Sequence, residues 1–219
     1  MIWLFDLDNT LVDRDAAFAA WASKAVADHG GDGADLAAII AADDGGFSRK
    51  ADLARVVIER LGLTDDVAAT IEYFRAGIRD HVQAYPAVLD ALDVLRGAGH
   101  AVGVVTNGDP AQQRGKIARC DVEPHVDAIV VSGEEGVAKP DPQIVEIALE
   151  RLGAADVDRR DVWMIGDAAH ADVAVGRAAG TRTGWVSHGR AWSGGRRPDV
   201  VAGTTRDVVA LAASPAHRR

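Results

Sequence analysis

Short apolar runs recur along the chain, and their alternation with helix-like segments constrains the fold more than any other feature. Five runs have the length and the β-branched or aromatic content of buried strands, at residues 2–5, 101–105, 128–131, 162–165 and 183–186. Turn residues and then a helical pattern follow the second, third and fourth runs, which is typical of βα units. The sequence therefore predicts an α/β fold built on a parallel sheet.

The interval between the first two predicted strands is far longer than a single crossover needs. About 95 residues separate them, and residues 16–82 carry helical patterns with almost no strand signal. Because a further helix over residues 87–96 fits the sheet-bearing part, we predict a core domain of residues 1–15 and 83–219. Residues 16–82 are predicted to form a small helical domain inserted into it. The helices predicted in this insert are 17–27, 34–41, 50–61 and 67–82.

Charge and composition restrict the class of partner. The chain has 24 basic and 33 acidic residues and a net charge of −9, which disfavours sequence-independent binding to nucleic acid or to an anionic membrane. No apolar run approaches the roughly 20 residues that a membrane helix needs. The single Cys120 can form no intramolecular disulfide, which fits a reducing compartment. We expect a cytoplasmic monomer or homodimer whose partner is a small molecule.

Two carboxylates follow directly after the first predicted strand, in the sequence DLDNT. Asp6 and Asp8 are separated by one residue, so in an extended chain their side chains project to the same side. The repulsion between them must be relieved by a proton or a cation. A site made only of oxygen ligands with this much charge suits Mg²⁺. A solvated turn is the alternative interpretation of the same residues.

Further polar groups follow the other predicted strands. Thr106 and Asn107 come at the end of the second strand, where a hydroxyl and a flexible Asn-Gly turn can cradle phosphate oxygens. Lys139 stands just before a proline and a helix start, a position that can hold an ammonium group against an anion. Asp167 follows the fourth strand, and Asp172 falls in the first turns of the next helix. Because parallel strands share one carboxyl edge, where ligands bind, we expect these groups to meet there.

The ordered combination of DLDNT, Thr106, Lys139 and GDAAHAD resembles the four motifs of the haloacid dehalogenase-like (HAD) hydrolase superfamily. Each motif taken alone also has an ordinary structural interpretation. The resemblance covers nearly the whole chain, because the helical insert is similar to the cap of the subfamily that contains phosphoglycolate phosphatase, β-phosphoglucomutase and haloacid dehalogenase. It implies a Rossmann-like doubly wound parallel sheet with an inserted α-helical cap domain.

The resemblance also implies a mechanism, the Mg²⁺-dependent hydrolysis of a small phosphorylated metabolite. Asp6 would be the nucleophile that forms an aspartyl-phosphate, and Asp8 would act as general acid and then as general base. Mg²⁺ would be held by Asp6, the backbone carbonyl of Asp8 and Asp167, while Asp172 would support these ligands from behind. The residues that would bind the phosphoryl oxygens are Thr106, Asn107 and Lys139.

Asp8 favours a phosphatase, because haloacid dehalogenases of this superfamily lack an aspartate two residues after the nucleophile. A halide leaving group needs no proton. A dehalogenase nevertheless stays an alternative, and so does a phosphomutase, which shares every core motif. Two non-catalytic alternatives also remain, a receiver-like signalling domain and a regulatory phosphate-binding protein.

Two other segments are candidates for contacts with the substrate. Residues 43–50 interrupt the helical pattern of the insert with two glycines, and Arg49 or Lys50 could meet an anionic substrate group. An exposed turn between helices explains the same residues. The Gly-rich loop of residues 187–199 starts at the predicted active edge, but we interpret it as solvated.

Overall fold

The computed structural model describes residues 1–214 and divides the chain into two compact units. One unit, which we call the core unit, comprises Met1–Val12 and the chain from Ala84 onward. The other, the helical unit, comprises Asp13–Gln83. Among the described residues, no helix combines the length and the apolar character that crossing a bilayer requires.

The helical unit contains four α-helices, and aspartate side chains cap three of them; in the last, Asp66 Oδ1 accepts a hydrogen bond from Ala69 N at 2.8 Å. Asp13 Oδ1 accepts a hydrogen bond from Ala16 N at 3.0 Å, and Asp32 and Asp35 form a capping box. These arrangements satisfy amide groups that the first turn of a helix leaves unpaired. The helices are α1 (Arg14–Asp28), α2 (Gly33–Asp43), α3 (Lys50–Leu61) and α4 (Val67–His81).

Helices α1 and α4 approach closely at a glycine. Trp21 of α1 is almost fully buried and packs its ring against Phe18, Tyr73 and Phe74. A Cβ atom placed on Gly77 of α4 would lie 1.9 Å from Cδ1 of this indole. Only a residue without a side chain therefore allows the helices to pack as they do.

Gly77→Ala is expected to destabilise the protein because the added methyl group overlaps the Trp21 ring. Overpacking of this kind costs about 1–3 kcal/mol, and the helix propensity of alanine offsets only about 1 kcal/mol of it. Urea unfolding measures the change. The matched control is Gly97→Ala, where nothing lies within 4 Å of the added atom. An unchanged midpoint for Gly77→Ala would contradict the packing described above.

Within residues 1–214, the core unit contains six strands that form one parallel sheet with the order β3-β2-β1-β4-β5-β6. The predicted α/β, Rossmann-like architecture is confirmed, and all five predicted strands are present. The sixth strand was missed because it has only three residues and only its first is buried, so it leaves no apolar run. The strands are β1 (Ile2–Phe5), β2 (Ala101–Thr106), β3 (Ala128–Val131), β4 (Val162–Gly166), β5 (Arg182–Val186) and β6 (Val200–Ala202).

Helices connect these strands, as parallel pairing requires. Several of them carry a buried apolar stripe; α8 (Gln143–Arg151), for example, buries Ile144, Val145, Ala148 and Leu149 against β2 and β3. The helices of the core unit are α5 (Val88–Gly97), α6 (Pro110–Arg119), α7 (Ser132–Glu135), α8 (Gln143–Arg151), α9 (Ala174–Ala178) and α10 (Thr205–Ala212). A π-helical turn, Ala169–Val173, precedes α9.

The two central strands, β1 and β4, are buried on both faces of the sheet. Trp3 and Trp163 are neighbours in register on β1 and β4, and their rings stack with centroids 5.9 Å apart. Both are fully buried, as expected for strands covered on both faces. The strand order reverses between β1 and β4, and the carboxyl ends of strands at such a switch point form the ligand-binding crevice of doubly wound sheets. The fold therefore presents the residues after β1 and β4 at one crevice.

Candidate active site

Lys139 lies at the centre of the cluster that forms at this crevice. Its Nζ donates hydrogen bonds to Asp6 Oδ1 at 2.6 Å, to Asp172 Oδ1 at 2.7 Å and to the carbonyl of Val105 at 2.8 Å. All three protons of the ammonium group are thus used. The carboxylates of Asp6, Asp167 and Asp172 are buried, and one oxygen of each lies within 4.8 Å of the others. Four residues from distant parts of the sequence therefore meet at this crevice.

Burial and like charge act together on Asp6. Burial raises the pKa of its carboxyl group well above the ordinary value, and the carboxylates of Asp172, Asp8 and Asp167 raise it further, against the opposing charge of Lys139. Burial alone would lower the pKa of Lys139, but the charges of Asp172 and Asp6 and its hydrogen bonds to them raise it. Lys139 is therefore a permanent cation, while the cluster holds an excess of negative charge.

Asp172 is fixed from two sides. Its Oδ1 accepts from Lys139, and its Oδ2 accepts a hydrogen bond from the amide of Ala168 at 2.9 Å. Gly166 makes this position possible, because a Cβ atom there would lie 2.1 Å from Asp172 Oδ2. Asp172 is 1% exposed. A buried carboxylate that is fixed in this way next to Asp6 and Asp167 suits a residue that orients the other acidic groups.

Asn107 fixes the main chain of Lys139. Its Oδ1 accepts from Lys139 N and its Nδ2 donates to Lys139 O, both at 2.9 Å. The amide of Gly108, the next residue in the turn, donates to Ser132 Oγ at 3.0 Å. The Asn107 side chain and the Gly108 amide are therefore both used in hydrogen bonds within the protein. The Asn107 side chain joins the end of β2 to the segment that carries Lys139.

Asp8 is hydrogen-bonded to Lys116 and Gln113, which the sequence did not predict as site residues. Lys116 Nζ donates to both of its carboxylate oxygens, at 2.6 Å to Oδ1. Gln113 Nε2 donates to Asp8 Oδ2 at 3.1 Å and to Thr106 Oγ1 at 2.6 Å. Lys116 and Gln113 are both buried. The side chain of Asp8 itself is 27% exposed, so this carboxylate lies at the boundary between the interior and solvent.

The loop after β5 also reaches the acidic cluster. Arg190 Nη2 donates to Asp167 Oδ2 at 3.0 Å and to the carbonyl of Asp167 at 2.9 Å. Trp185 Nε1 donates to the same carbonyl at 2.8 Å, and the guanidinium of Arg190 lies 5.6 Å from the Trp185 ring centroid. His188 Nε2 is hydrogen-bonded to the carbonyl of Asn9 at 2.6 Å. The interpretation of this loop as simply solvated overlooked these contacts.

Sequence signals for some of the overlooked residues exist. Gln113, Lys116, Ile117 and Cys120 recur at helical spacing and define the buried face of α6. A glutamine and a lysine on the same face as an isoleucine indicate a specific polar contact in the interior, because buried polar side chains need hydrogen-bonding partners. The contact of Arg190 with Asp167 has no comparable signal, because it depends on the path of an irregular loop.

The two cations predicted in the insert belong to the helical unit. Lys50 Nζ donates to the carbonyl of Gly46 at 2.7 Å, and Arg49 is exposed at the residue before α3. The segment that carries them is anchored by a buried ion pair between Arg14 and Asp43. A contact of Arg49 or Lys50 with a substrate stays a prediction.

The acidic cluster has the donor set that a hard divalent cation requires. Asp6 and Asp167 offer buried carboxylate oxygens next to Asp172. Burial and the neighbouring carboxylates raise the pKa of Asp6, so the charge of Lys139 only partly offsets the cost of ionising it. A small cation with oxygen ligands, such as Mg²⁺, would offset the remainder. The residues present therefore fit the metal that the sequence predicts.

Comparison with known proteins identifies the family. A model of the haloacid dehalogenase-like hydrolases matches residues 2–180. Pyrophosphatase PpaX of Bacillus pumilus is 32% identical over 153 residues, 68% of this chain and 69% of that protein. Phosphoserine phosphatase of Thermus thermophilus is 35% identical over 125 residues, which cover 57% and 49% of the two chains. The chain spans about half the length of several curated relatives that it matches.

Solved structures agree with this assignment at the level of fold. The HAD-hydrolase YfnB of Bacillus subtilis, whose crystal form contains magnesium, superposes with a TM-score of 0.82 at 20% identity and covers 97% of this chain and 98% of its own. The family model and the relative similar over two thirds of both chains agree with the four motifs and with the sheet. The chain belongs to the haloacid dehalogenase-like hydrolase family.

Proposed function

We propose that this hydrolase is a Mg²⁺-dependent phosphatase that acts on a small phosphomonoester through an aspartyl-phosphate on Asp6. The observation that carries the proposal is the buried arrangement of Asp6, Asp167 and Asp172 around Lys139 at the switch point of the sheet. An anionic phosphoryl group needs a nucleophile, positive charge and a site for a divalent cation in one place. The residues that could supply all three lie within this cluster.

In the first step, an oxygen of Asp6 forms a bond to phosphorus while the bond from phosphorus to the ester oxygen breaks. Lys139 donates to Asp6 Oδ1, which leaves Oδ2 to attack. Bound Mg²⁺, held by Asp6, Asp167 and the backbone carbonyl of Asp8, would supply positive charge that reduces the repulsion between the nucleophile and the phosphate. Asp8 gives a proton to the departing alkoxide.

In the second step, water attacks phosphorus and the bond to Asp6 breaks. Asp8, now a carboxylate, accepts a proton from that water, so inorganic phosphate and the free Asp6 carboxylate are the products. Thr106 binds the phosphoryl group in both steps. Its Oγ1 accepts from Gln113, which leaves the hydroxyl proton to donate to a phosphoryl oxygen.

Asp8 separates this proposal from dehalogenation, which has no alkoxide to protonate. A phosphomutase would use the same two steps but pass the phosphoryl group to a sugar hydroxyl. The named relatives of this chain include a phosphoserine phosphatase and a pyrophosphatase, which favours water as the acceptor. We further propose that the predicted insert, residues 16–82, acts as the cap, with Arg49 or Lys50 meeting an anionic part of the substrate.

A phosphate-release screen tests the proposed function. The purified protein is incubated with a panel of sugar phosphates, phosphoglycolate, phosphoserine, nucleoside monophosphates and pyrophosphate, with Mg²⁺ or with EDTA. We expect Mg²⁺-dependent release from at least one member and none from the Asp6→Asn variant. Release that survives EDTA or the Asp6→Asn change, or no release from any member, would overturn the proposal.

A further inference from the structure

The end of β1 and the buried face of α6 are joined through Asp8. Lys116 and Gln113 are one helical turn apart, so their side chains lie on the same face of α6. Lys116 is 3% exposed and Gln113 is 2% exposed. A lysine this deeply buried is costly unless it is paired, and the partner it contacts is the carboxylate of Asp8.

The geometry fixes the Asp8 carboxylate at three points. Lys116 Nζ contacts both oxygens, with 2.6 Å to Oδ1, and Gln113 Nε2 contacts Oδ2 at 3.1 Å. The other proton of the same Gln113 amide goes to Thr106 Oγ1 at 2.6 Å. A single side chain thus ties Asp8, the proposed acid and base, to Thr106, the proposed phosphoryl ligand. The distance between the proton donor and the phosphoryl group depends on this link.

We propose that Lys116 and Gln113 are positioning residues that hold Asp8 where it can protonate the leaving oxygen. The inference rests on the proposed function, because it assigns Asp8 the role of general acid. Without Lys116 the carboxylate loses two of these contacts and can turn toward solvent, to which it is already partly open. Without Gln113 the link between Asp8 and Thr106 is lost. In both cases the proton is delivered less often, while Asp6 still attacks.

The proposed role predicts how kcat/KM depends on the basicity of the leaving group. A basic leaving group cannot depart without a proton, whereas a weakly basic one can. Loss of general acid catalysis should therefore slow phenyl phosphate much more than 4-nitrophenyl phosphate, two esters of similar shape. The ratio of kcat/KM for the two esters, measured on one preparation, is independent of the fraction of folded enzyme. Unfolding of a variant with a changed interior therefore cannot imitate the effect.

The test compares this ratio in wild type, Asp8→Asn, Lys116→Met, Gln113→Leu and the control Arg119→Met, which removes an exposed cation from the same helix. We expect the ratio of phenyl to 4-nitrophenyl phosphate to fall about tenfold or more in Asp8→Asn. A fall in the same direction is expected in Lys116→Met and Gln113→Leu, and no change in Arg119→Met.

Two different results would overturn the inference. If Asp8→Asn lowers the ratio but Lys116→Met and Gln113→Leu leave it unchanged or raise it, these two residues do not position the acid. If Asp8→Asn itself leaves the ratio unchanged, the role proposed for Asp8 fails, and the inference fails with it. The variant in which the ratio does not move therefore shows which of the two claims is wrong.

Discussion

The variant Asp6→Asn is expected to lower kcat by at least about 10³-fold, the order of effect seen when a nucleophile is removed. The amide keeps the shape of the carboxylate and can still accept from Lys139, but it cannot form an aspartyl-phosphate. The same change should stabilise the protein in EDTA, because burial and three carboxylates raise the pKa of Asp6 and so disfavour its charged form. Activity and stability should therefore move in opposite directions.

The pH dependence of stability follows from the direction of this shift. Since the folded protein holds a proton on Asp6 that the unfolded chain releases near pH 4, the metal-free wild type should lose stability as pH rises from about 4 to the raised pKa. Asp6→Asn lacks this loss. The raised pKa of Lys139 does not act in this window, because the lysine is protonated in both states. Urea unfolding in EDTA across this pH range measures the difference, and a wild-type stability that rises as steeply as that of the variant would contradict it.

Lys139→Met is expected to reduce both stability and activity. Removal of one partner from a buried ion pair costs about 3–5 kcal/mol, because Asp6 and Asp172 lose the cation between them. Loss of the fixed positive charge beside Asp6, where the phosphoryl group is transferred, lowers kcat by at least about 10²-fold. Urea unfolding in EDTA and phosphate release measure the two effects.

Two controls show whether the charge or the shape of Lys139 is responsible. Lys24→Met removes one partner of an exposed pair with Asp28 and should leave the free energy of unfolding nearly unchanged, because exposed ion pairs contribute little to stability. The double variant Asp6→Asn, Lys139→Met should be more stable than Lys139→Met alone, because one buried negative charge is gone. Equal stability of these two variants would mean that charge compensation is not what Lys139 contributes.

The sheet and most of the acidic cluster could be predicted because they depend on local patterns. Strands such as Ile2–Phe5 are continuous apolar runs, and parallel pairing alone brings the residues that follow β1, β2 and β4 to one edge. The order of the motifs then identifies the residues at that edge. Asp6, Thr106 and Asp167 could therefore be placed near each other before any coordinates were known.

Other features depend on contacts that no local pattern encodes. The pairing of Lys116 with Asp8 requires the orientation of α6 relative to the end of β1, and the contact of Arg190 with Asp167 requires the path of a loop. The ion pair between Arg14 and Asp43 likewise joins the start of α1 to the end of α2. Because the two residues of each pair lie far apart in sequence, their contact depends on the tertiary structure and not on a local pattern.

The variant Asp8→Asn makes the proposed transfer of the phosphoryl group to Asp6 directly measurable. With 4-nitrophenyl phosphate the first step needs no acid, whereas the second step needs Asp8 as a base, so the intermediate should accumulate. Rapid mixing in Mg²⁺ is then expected to give a burst approaching one nitrophenolate per protein chain. Intact mass after acid quench should show one added phosphoryl group, which borohydride reduction assigns to Asp6. A steady release without a burst, together with an unmodified mass or a phosphoryl group on another residue, would contradict the account.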